Sequence, residues 1–218
     1  MQDPFLNHRI AMVELQLRSR GIKDERVLEA MLRVPRHEFV PPSLQADAYA
    51  DMPLPIGNGQ TISQPYIVAA MLEALEVRPS DRVLEIGTGS GYMTALLAEL
   101  AAEVVSMERY EGLAERARDA VGRIAHHNIQ IVVGDGSQGY AAAAPYGRVV
   151  ASAAAPSVPR KLIEQMAEDG RMVIPIGPPH TQQLQLVRKI AGEVLVTALD
   201  PCRFVPMIGE SAYRAQED

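Results

Sequence analysis

The densest chemistry in the chain lies in ten residues, Val83-Leu84-Glu85-Ile86-Gly87-Thr88-Gly89-Ser90-Gly91-Tyr92. Glycines at 87, 89 and 91 let the backbone turn tightly and approach a ligand with no side chain in the way. The apolar run before them and the helical pattern after them place this at a strand-to-helix turn. Open α/β sheets bind ligands at such turns, beyond the carboxyl ends of the strands. The dinucleotide fingerprint Gly-x-Gly-x-x-Gly needs its third glycine at position 92, where Tyr92 stands. Two residues before the first glycine is Glu85, an acid ill-suited to a pyrophosphate and well suited to a cation. The α-amino group and the sulfonium of S-adenosylmethionine are two such centres. Glu108 closes the next strand about 20 residues beyond the glycine turn, where a carboxylate can accept hydrogen bonds from ribose hydroxyls. After the third strand, Gly134-Asp135-Gly136 offers a carboxylate to the exocyclic amine of adenine. Acids and glycines at the ends of three consecutive strands together describe a site for an adenosyl ligand.

Strands alternating with helices position these residues. From residue 80 on, strands are predicted at Arg82 to Ile86, Glu103 to Met107, Gln130 to Val133, Arg148 to Ala151 and Arg171 to Ile176. Helices are predicted at Tyr92 to Leu100, Glu111 to Ala125 and Val158 to Ala167. This alternation implies βαβ units and a mostly parallel sheet with helices on both faces. Two further apolar runs, Gln183 to Ile190 and Glu193 to Ala198, flank Ala191-Gly192 and read as an antiparallel hairpin closing the sheet.

Before residue 80 the pattern is helices and loops. Asp3-Pro4 reads as a cap and first turn, followed by Ile10, Val13 and Leu17 on one apolar face. A second helix covers Asp24 to Arg33, with Val27, Leu28, Met31 and Leu32 inward. Pro41 to Gln60 reads as a long loop, a form that is often functional in compact domains. Ser63 is placed to cap a third helix through Pro65, Val68, Met71 and Leu75. The expected organisation is one domain, 1–218, made of a cap (1–80) and a ligand-binding core with its hairpin (81–218).

The chain has 218 residues, 47% hydrophobic and 22% charged, values that suit a folded domain with a large core. Its net charge of -6 shows no basic footprint for a nucleic-acid partner. The one cysteine, Cys202, excludes an intrachain disulfide, reads as a small core residue, and fits a reducing, cytoplasmic setting. No run of about 18 apolar residues suggests a membrane span. The histidines do not cluster at metal-ligand spacing, and adjacent His126 and His127 cannot face one way on a helix, so no metal is expected. No Gly-x-Ser-x-Gly elbow supports a serine hydrolase.

Pro55-Ile56-Gly57-Asn58-Gly59-Gln60-Thr61-Ile62-Ser63-Gln64-Pro65-Tyr66 resembles the hallmark loop of the protein-L-isoaspartate O-methyltransferase family. Val34-Pro35-Arg36, Phe39-Val40, Ala144-Pro145-Tyr146 and Arg203-Phe204-Val205-Pro206 fall in the family's order, and the resemblance runs from about residue 10 to 209. It implies the class I methyltransferase fold and methyl transfer from S-adenosylmethionine, leaving S-adenosyl-L-homocysteine. The implied acceptor is the free carboxylate of an isoaspartyl residue in a damaged protein or peptide, and the ester then collapses to a succinimide. By motif, Glu85, Gly87, Gly89 and Gly91 hold the methionine end, Glu108 the ribose, and Asp135 and Gly136 the adenine. Thr61 and Ser63 face the transfer centre, with Ser63 as the active-site residue. Ile56, Gly59, Gln60, Val205 and Pro206 hold the peptide. The chain is expected to act as a monomer. It departs from the family at Ser137 and Tyr140, where tryptophans are frequent, at Gly147, where an acid is common, and at Cys202, where an aliphatic residue is usual.

The missing acid–base groups fit this chemistry. A carboxylate acceptor is already ionised at neutral pH and needs no base, and a thioether leaves without an acid. Alignment alone supplies several kcal/mol. Two other readings stand beside this one: a methyltransferase on the same scaffold with another carboxylate or small-molecule acceptor, and a non-catalytic nucleotide-binding module.

Overall fold

The computed structural model describes residues 3–124 and 127–214. Nine strands and six α-helices alternate along it. The main sheet has seven strands: β3 (Arg82–Ile86), β4 (Glu103–Glu108), β5 (Ile129–Val133), β6 (Tyr146–Ala151), β7 (Met166–Ile176), β8 (Gln182–Ile190) and β9 (Glu193–Cys202). Their spatial order is β5-β4-β3-β6-β7-β8-β9. The first five pair in parallel, while β8 and β9 run antiparallel to their neighbours. The order reverses between β3 and β6, so the crevice at which such sheets bind ligands opens at the carboxyl ends of β3, β4 and β6. Ala191 and Gly192 both take positive φ, 52° and 78°, which is the backbone of a tight hairpin turn between β8 and β9.

One face of the sheet carries α3 (Pro65–Leu75), α4 (Tyr92–Leu100) and α5 (Glu111–Arg123), with α1 (Leu6–Ala11) and α2 (Glu25–Arg33) layered on them. Apolar side chains from Met12 to Phe204 join in that core. The opposite face is covered by the short α6 (Arg160–Glu164) and by 3-10 turns, around Leu84, Val149, Leu162 and Met172. α2 starts where Asp24 accepts hydrogen bonds from Arg26 N (2.9 Å) and Val27 N (3.4 Å), a cap worth about 1 kcal/mol.

Several expectations need correcting. Asp3 accepts from Phe5 N, but α1 begins only at Leu6 and passes into a π-helical turn, Met12–Leu17. That wider turn shifts the apolar face: Met12, Val13 and Leu17 are buried while Ile10 is 43% exposed. Leu32 is only partly buried. The long loop contains a 3-10 segment, Pro42–Asp47, and a small antiparallel hairpin of β1 (Leu54–Gly57) and β2 (Gln60–Ile62). Asn58 and Gly59, both at positive φ, make its turn. The last helix is five residues rather than ten, because β7 begins at Met166, paired with Tyr146. The fifth helix ends at Arg123, and its expected end at Ala125, like His126, lies outside the described residues.

Candidate active site

An open cleft enclosing about 1020 Å³ of empty space, mouth included, lies beyond β3, β4 and β6. Its floor is the turn after β3. Gly87 and Gly89 take φ of 91° and 55°, which L side chains rarely adopt, and their bare backbone faces the cavity. Glu108, the last residue of β4, directs its carboxylate back to this turn. Its Oε2 accepts from Gly89 N (2.8 Å) and its Oε1 from Tyr110 N (2.9 Å). Each oxygen accepts one of these bonds and has capacity for a further one, and Glu108 lines the cleft. Gly136 lines the cleft beside Ile86, and a Cβ there would stand 2.5 Å from Ile86 Cγ2.

On the other side, Gln60, Thr61 and Ser63 line the wall made by β2 and the start of α3, and Val205 and Pro206 line the wall facing them. That wall is fixed by an isolated bridge to the chain just past β6: Ala154 N donates to the Val205 carbonyl (2.8 Å), and Met207 N to the Ala154 carbonyl (2.7 Å). Nine of the residues singled out in the sequence therefore meet in one cleft: Gln60, Thr61, Ser63, Gly87, Gly89, Glu108, Gly136, Val205 and Pro206.

The others stand nearby in different roles. Glu85 does not line the cleft. Alternation along β3 turns its side chain sideways under α4, fully buried, where Oε2 accepts from Thr94 Oγ1 (2.6 Å) and Ser106 Oγ (2.6 Å). Ser106 in turn shares a 2.5 Å hydrogen bond with Thr88, which does line the cleft. Burial pushes the Glu85 pKa up to about 8 against the pull of those two hydroxyls. Glu85 was expected to hold the methionine end of the ligand; its side chain instead supports the turn through Thr94 and Ser106 and is absent from the cleft lining.

Asp135 also turns away from the cleft lining. It caps the 3-10 turn Gly136–Gln138, accepting from Ser137 N (2.9 Å) and Ser137 Oγ (2.7 Å), and it receives Glu210 N (2.8 Å). Burial raises its pKa, but the bonds from Glu210 and Ser137 with the charge of Arg109 hold it below the ordinary value. Gly91 supports the turn from behind, at the start of α4 and against Ala117 and Val121. Ile56 is buried on the outer side of the turn, and Gly59 sits exposed at the hairpin tip.

Ser63 does not cap α3. Gln64 takes the N-cap position, without a side-chain cap bond. The segment is held instead by Arg36, which the sequence reading did not single out for a role. Its guanidinium is wholly buried, donates to the carbonyls of Ala48 (2.7 Å) and Ser63 (2.8 Å), and lies 4.9 Å over the Tyr92 ring. Burial lowers its pKa to about 10, so it remains charged at neutral pH. Asp51 holds the other flank through Gln64 Nε2 (2.7 Å) and Tyr66 N (3.2 Å). Arg109, Ser152 and Ile208 also line the cleft and carried no motif. Among the described residues no group of three acidic, histidine or cysteine side chains is arranged to hold a metal, and no helix is long and apolar enough to cross a membrane.

This sheet order, with a bare glycine turn after its first strand and a carboxylate ending the next, defines a class I methyltransferase. A family model of protein-L-isoaspartate(D-aspartate) O-methyltransferase matches residues 7–212. The chain belongs to that family. It is 54% identical over 214 residues to a protein-L-isoaspartate O-methyltransferase of Methanoculleus marisnigri, covering 98% of this chain and 97% of the relative. It is 54% identical over 209 residues to one of Koribacter versatilis, covering 96% and 94%. A Plasmodium falciparum crystal structure assigned to the same activity, in complex with S-adenosyl-L-homocysteine, superposes with a TM-score of 0.81 at 27% identity, over 92% of this chain and 98% of that one.

Proposed function

We propose that the chain transfers a methyl group from S-adenosylmethionine to the free carboxylate of L-isoaspartyl residues in damaged proteins and peptides. The observation that carries this is the meeting of Thr61 and Ser63 with the glycine turn and Glu108 in one cleft, in a chain that matches the family from residue 7 to 212. The cleft fits an adenosyl group. Its floor is glycine backbone, Glu108 presents acceptor oxygens for vicinal hydroxyls, and at Gly136 any side chain would press on Ile86. When bound, S-adenosylmethionine supplies a methyl group already activated on a sulfonium. Gly87 and Gly89 admit the methionine end, Glu108 holds the ribose, and Gly136 with Met107 flanks the base.

The protein's own work is positional. The acceptor carboxylate arrives ionised, so no side chain has to remove a proton. Ser63, held at its carbonyl by Arg36, donates one hydrogen bond from its hydroxyl and fixes which carboxylate oxygen points at the methyl group. Gln60 and Thr61 on one wall, with Val205 and Pro206 on the other, hold the peptide and exclude water. The methyl ester leaves the site as product and closes to a succinimide without further catalysis, the neighbouring backbone nitrogen attacking the ester carbonyl and displacing methanol. We also assign the protein to the cytoplasm, on its one cysteine, and take it to act as a monomer.

Methyl-ester formation is to be measured on an isoaspartyl peptide and on its normal aspartyl twin. Esterification of the first alone is expected. Binding of S-adenosyl-L-homocysteine without ester formation on either peptide would move the chain to another acceptor.

A further inference from the structure

Behind α3, β6, β7 and β8 set three arginines side by side. Arg148 pairs in register with Arg171, and Arg171 with Arg188. Residues paired in this way project from the same face, and like charges so placed repel. Arg148 lies four positions back along the chain from the cleft residue Ser152, about 13 Å of strand. The fold answers two of the three charges. Arg148, 2% exposed, donates to the Glu76 carbonyl (3.0 Å) and lies 3.5 Å from Asp81. Arg171 donates to the Ala74 carbonyl (3.3 Å) and pairs with Glu76 at 2.6 Å. Both serve the C-terminal end of α3, whose carbonyls and dipole favour cations.

Arg188 has no such answer. Its Nε is buried without a hydrogen-bond partner, and neither it nor Arg78 forms an ion pair among the described residues. Arg78, Arg171 and Arg188 together line a pocket closed by Gly170 and Ile190. Asp169 stands at its exposed rim with left-handed backbone, φ 59°, and pairs with none of them among the described residues. Two guanidiniums without an ion pair on one pocket, against the single carboxylate of Asp169 at its rim, call for a compact anion. Planar guanidinium forks match the oxygens of a phosphate in geometry as well as charge.

We propose that this pocket is a second site, separate from the cleft, that binds a small phosphate anion. Arg188 and Arg78 are its principal ligands, and Arg171, already paired with Glu76, contributes from the side. Occupancy ties the turn after α3 to β7 and β8 and stabilises the sheet, while methyl transfer proceeds unchanged.

The test is calorimetric titration of the full chain with pyrophosphate at low ionic strength, in the presence of saturating S-adenosyl-L-homocysteine. Saturable one-to-one binding is expected, weakened by roughly tenfold or more in each of R188Q and R78Q. Both variants should methylate peptide at the parental rate. A nucleoside diphosphate binding as tightly as pyrophosphate assigns the site to the phosphate group itself, and tighter binding adds a contact at Ile190. Should R188Q fold poorly, the exposed R78Q decides alone. Absence of saturable heat, unchanged affinity in R78Q, or binding that appears only when S-adenosyl-L-homocysteine is left out would each overturn the proposal.

Discussion

Ser63 and Glu85 show how differently two residues next to one cleft can act. The Ser63 hydroxyl caps nothing, so its removal should leave stability within about 0.5 kcal/mol of the parent, where a true cap would cost about 1 kcal/mol. Ser63→Ala is expected to lower kcat/KM for an isoaspartyl peptide about tenfold, the loss of one hydrogen bond to a charged group. Paired thermal melts and ester assays check both halves. Glu85 is a proton problem. Its folded pKa is raised to about 8 by burial, so the folded state keeps a proton that the unfolded chain releases near the ordinary carboxylate value. The stability due to this group is complete at acid pH below that value and is lost as pH climbs toward about 8. Glu85→Gln should abolish that slope, gaining on the parent steadily between pH 5 and 8 in denaturant titrations of the ligand-free protein. A variant that tracks the parent across this range would show that Glu85 ionises freely in the fold.

At the scale of elements, the cleft depends on an anchor that lies outside it. Arg36 ties the Ala48 and Ser63 carbonyls together from a fully buried position. Arg36→Met keeps the apolar stem but leaves both carbonyls without their donor. It should cost roughly 2–4 kcal/mol of stability and reduce kcat/KM more than Ser63→Ala does, while affinity for S-adenosyl-L-homocysteine changes little. Denaturation and calorimetry on the same preparation separate these effects. The strand and helix pattern after residue 80 was legible because short continuous apolar runs, helical spacing and turn glycines mark such elements locally. β3 and α4 fall where their sequence places them. The cap was less legible. Its first helix widens into a π turn that moves the apolar face, and the β1–β2 hairpin hides in a proline-rich stretch. The direction of a side chain was the least legible feature. Glu85 and Asp135 carry acids at the expected positions, but strand alternation and a local capping turn point them away from the cleft. Arg36 is visible in the sequence, yet its role rests on contacts with residues 12 and 27 positions away.

For the molecule as a whole, one apolar core joins the cap to the sheet, from Met12 through Met71 and Leu97 to Phe204. We therefore expect unfolding in a single transition, with tyrosine fluorescence and far-UV circular dichroism coinciding along a urea titration. Separate transitions would divide the cap from the core as independent units. Of the four departures from the family's common residues, those at Ser137 and Gly147 find local explanations. Ser137 bonds Asp135 and receives Ser211 N (3.0 Å), and at Gly147 a Cβ would meet Asp81 Oδ1 at 2.8 Å. No contact explains Cys202, which is half-buried with its thiol pKa raised by burial to about 11.

The cleft's walls are drawn from residues as far apart as Gln60 and Ile208. During synthesis the glycine turn is made long before the strand of chain that faces it, and a long loop must close before the two meet. A growing polypeptide stopped short of Val205 has a floor and one wall. The acceptor peptide therefore has no second wall to lie against until Val205 and Pro206 have been made, although every residue assigned to the adenosyl ligand precedes them.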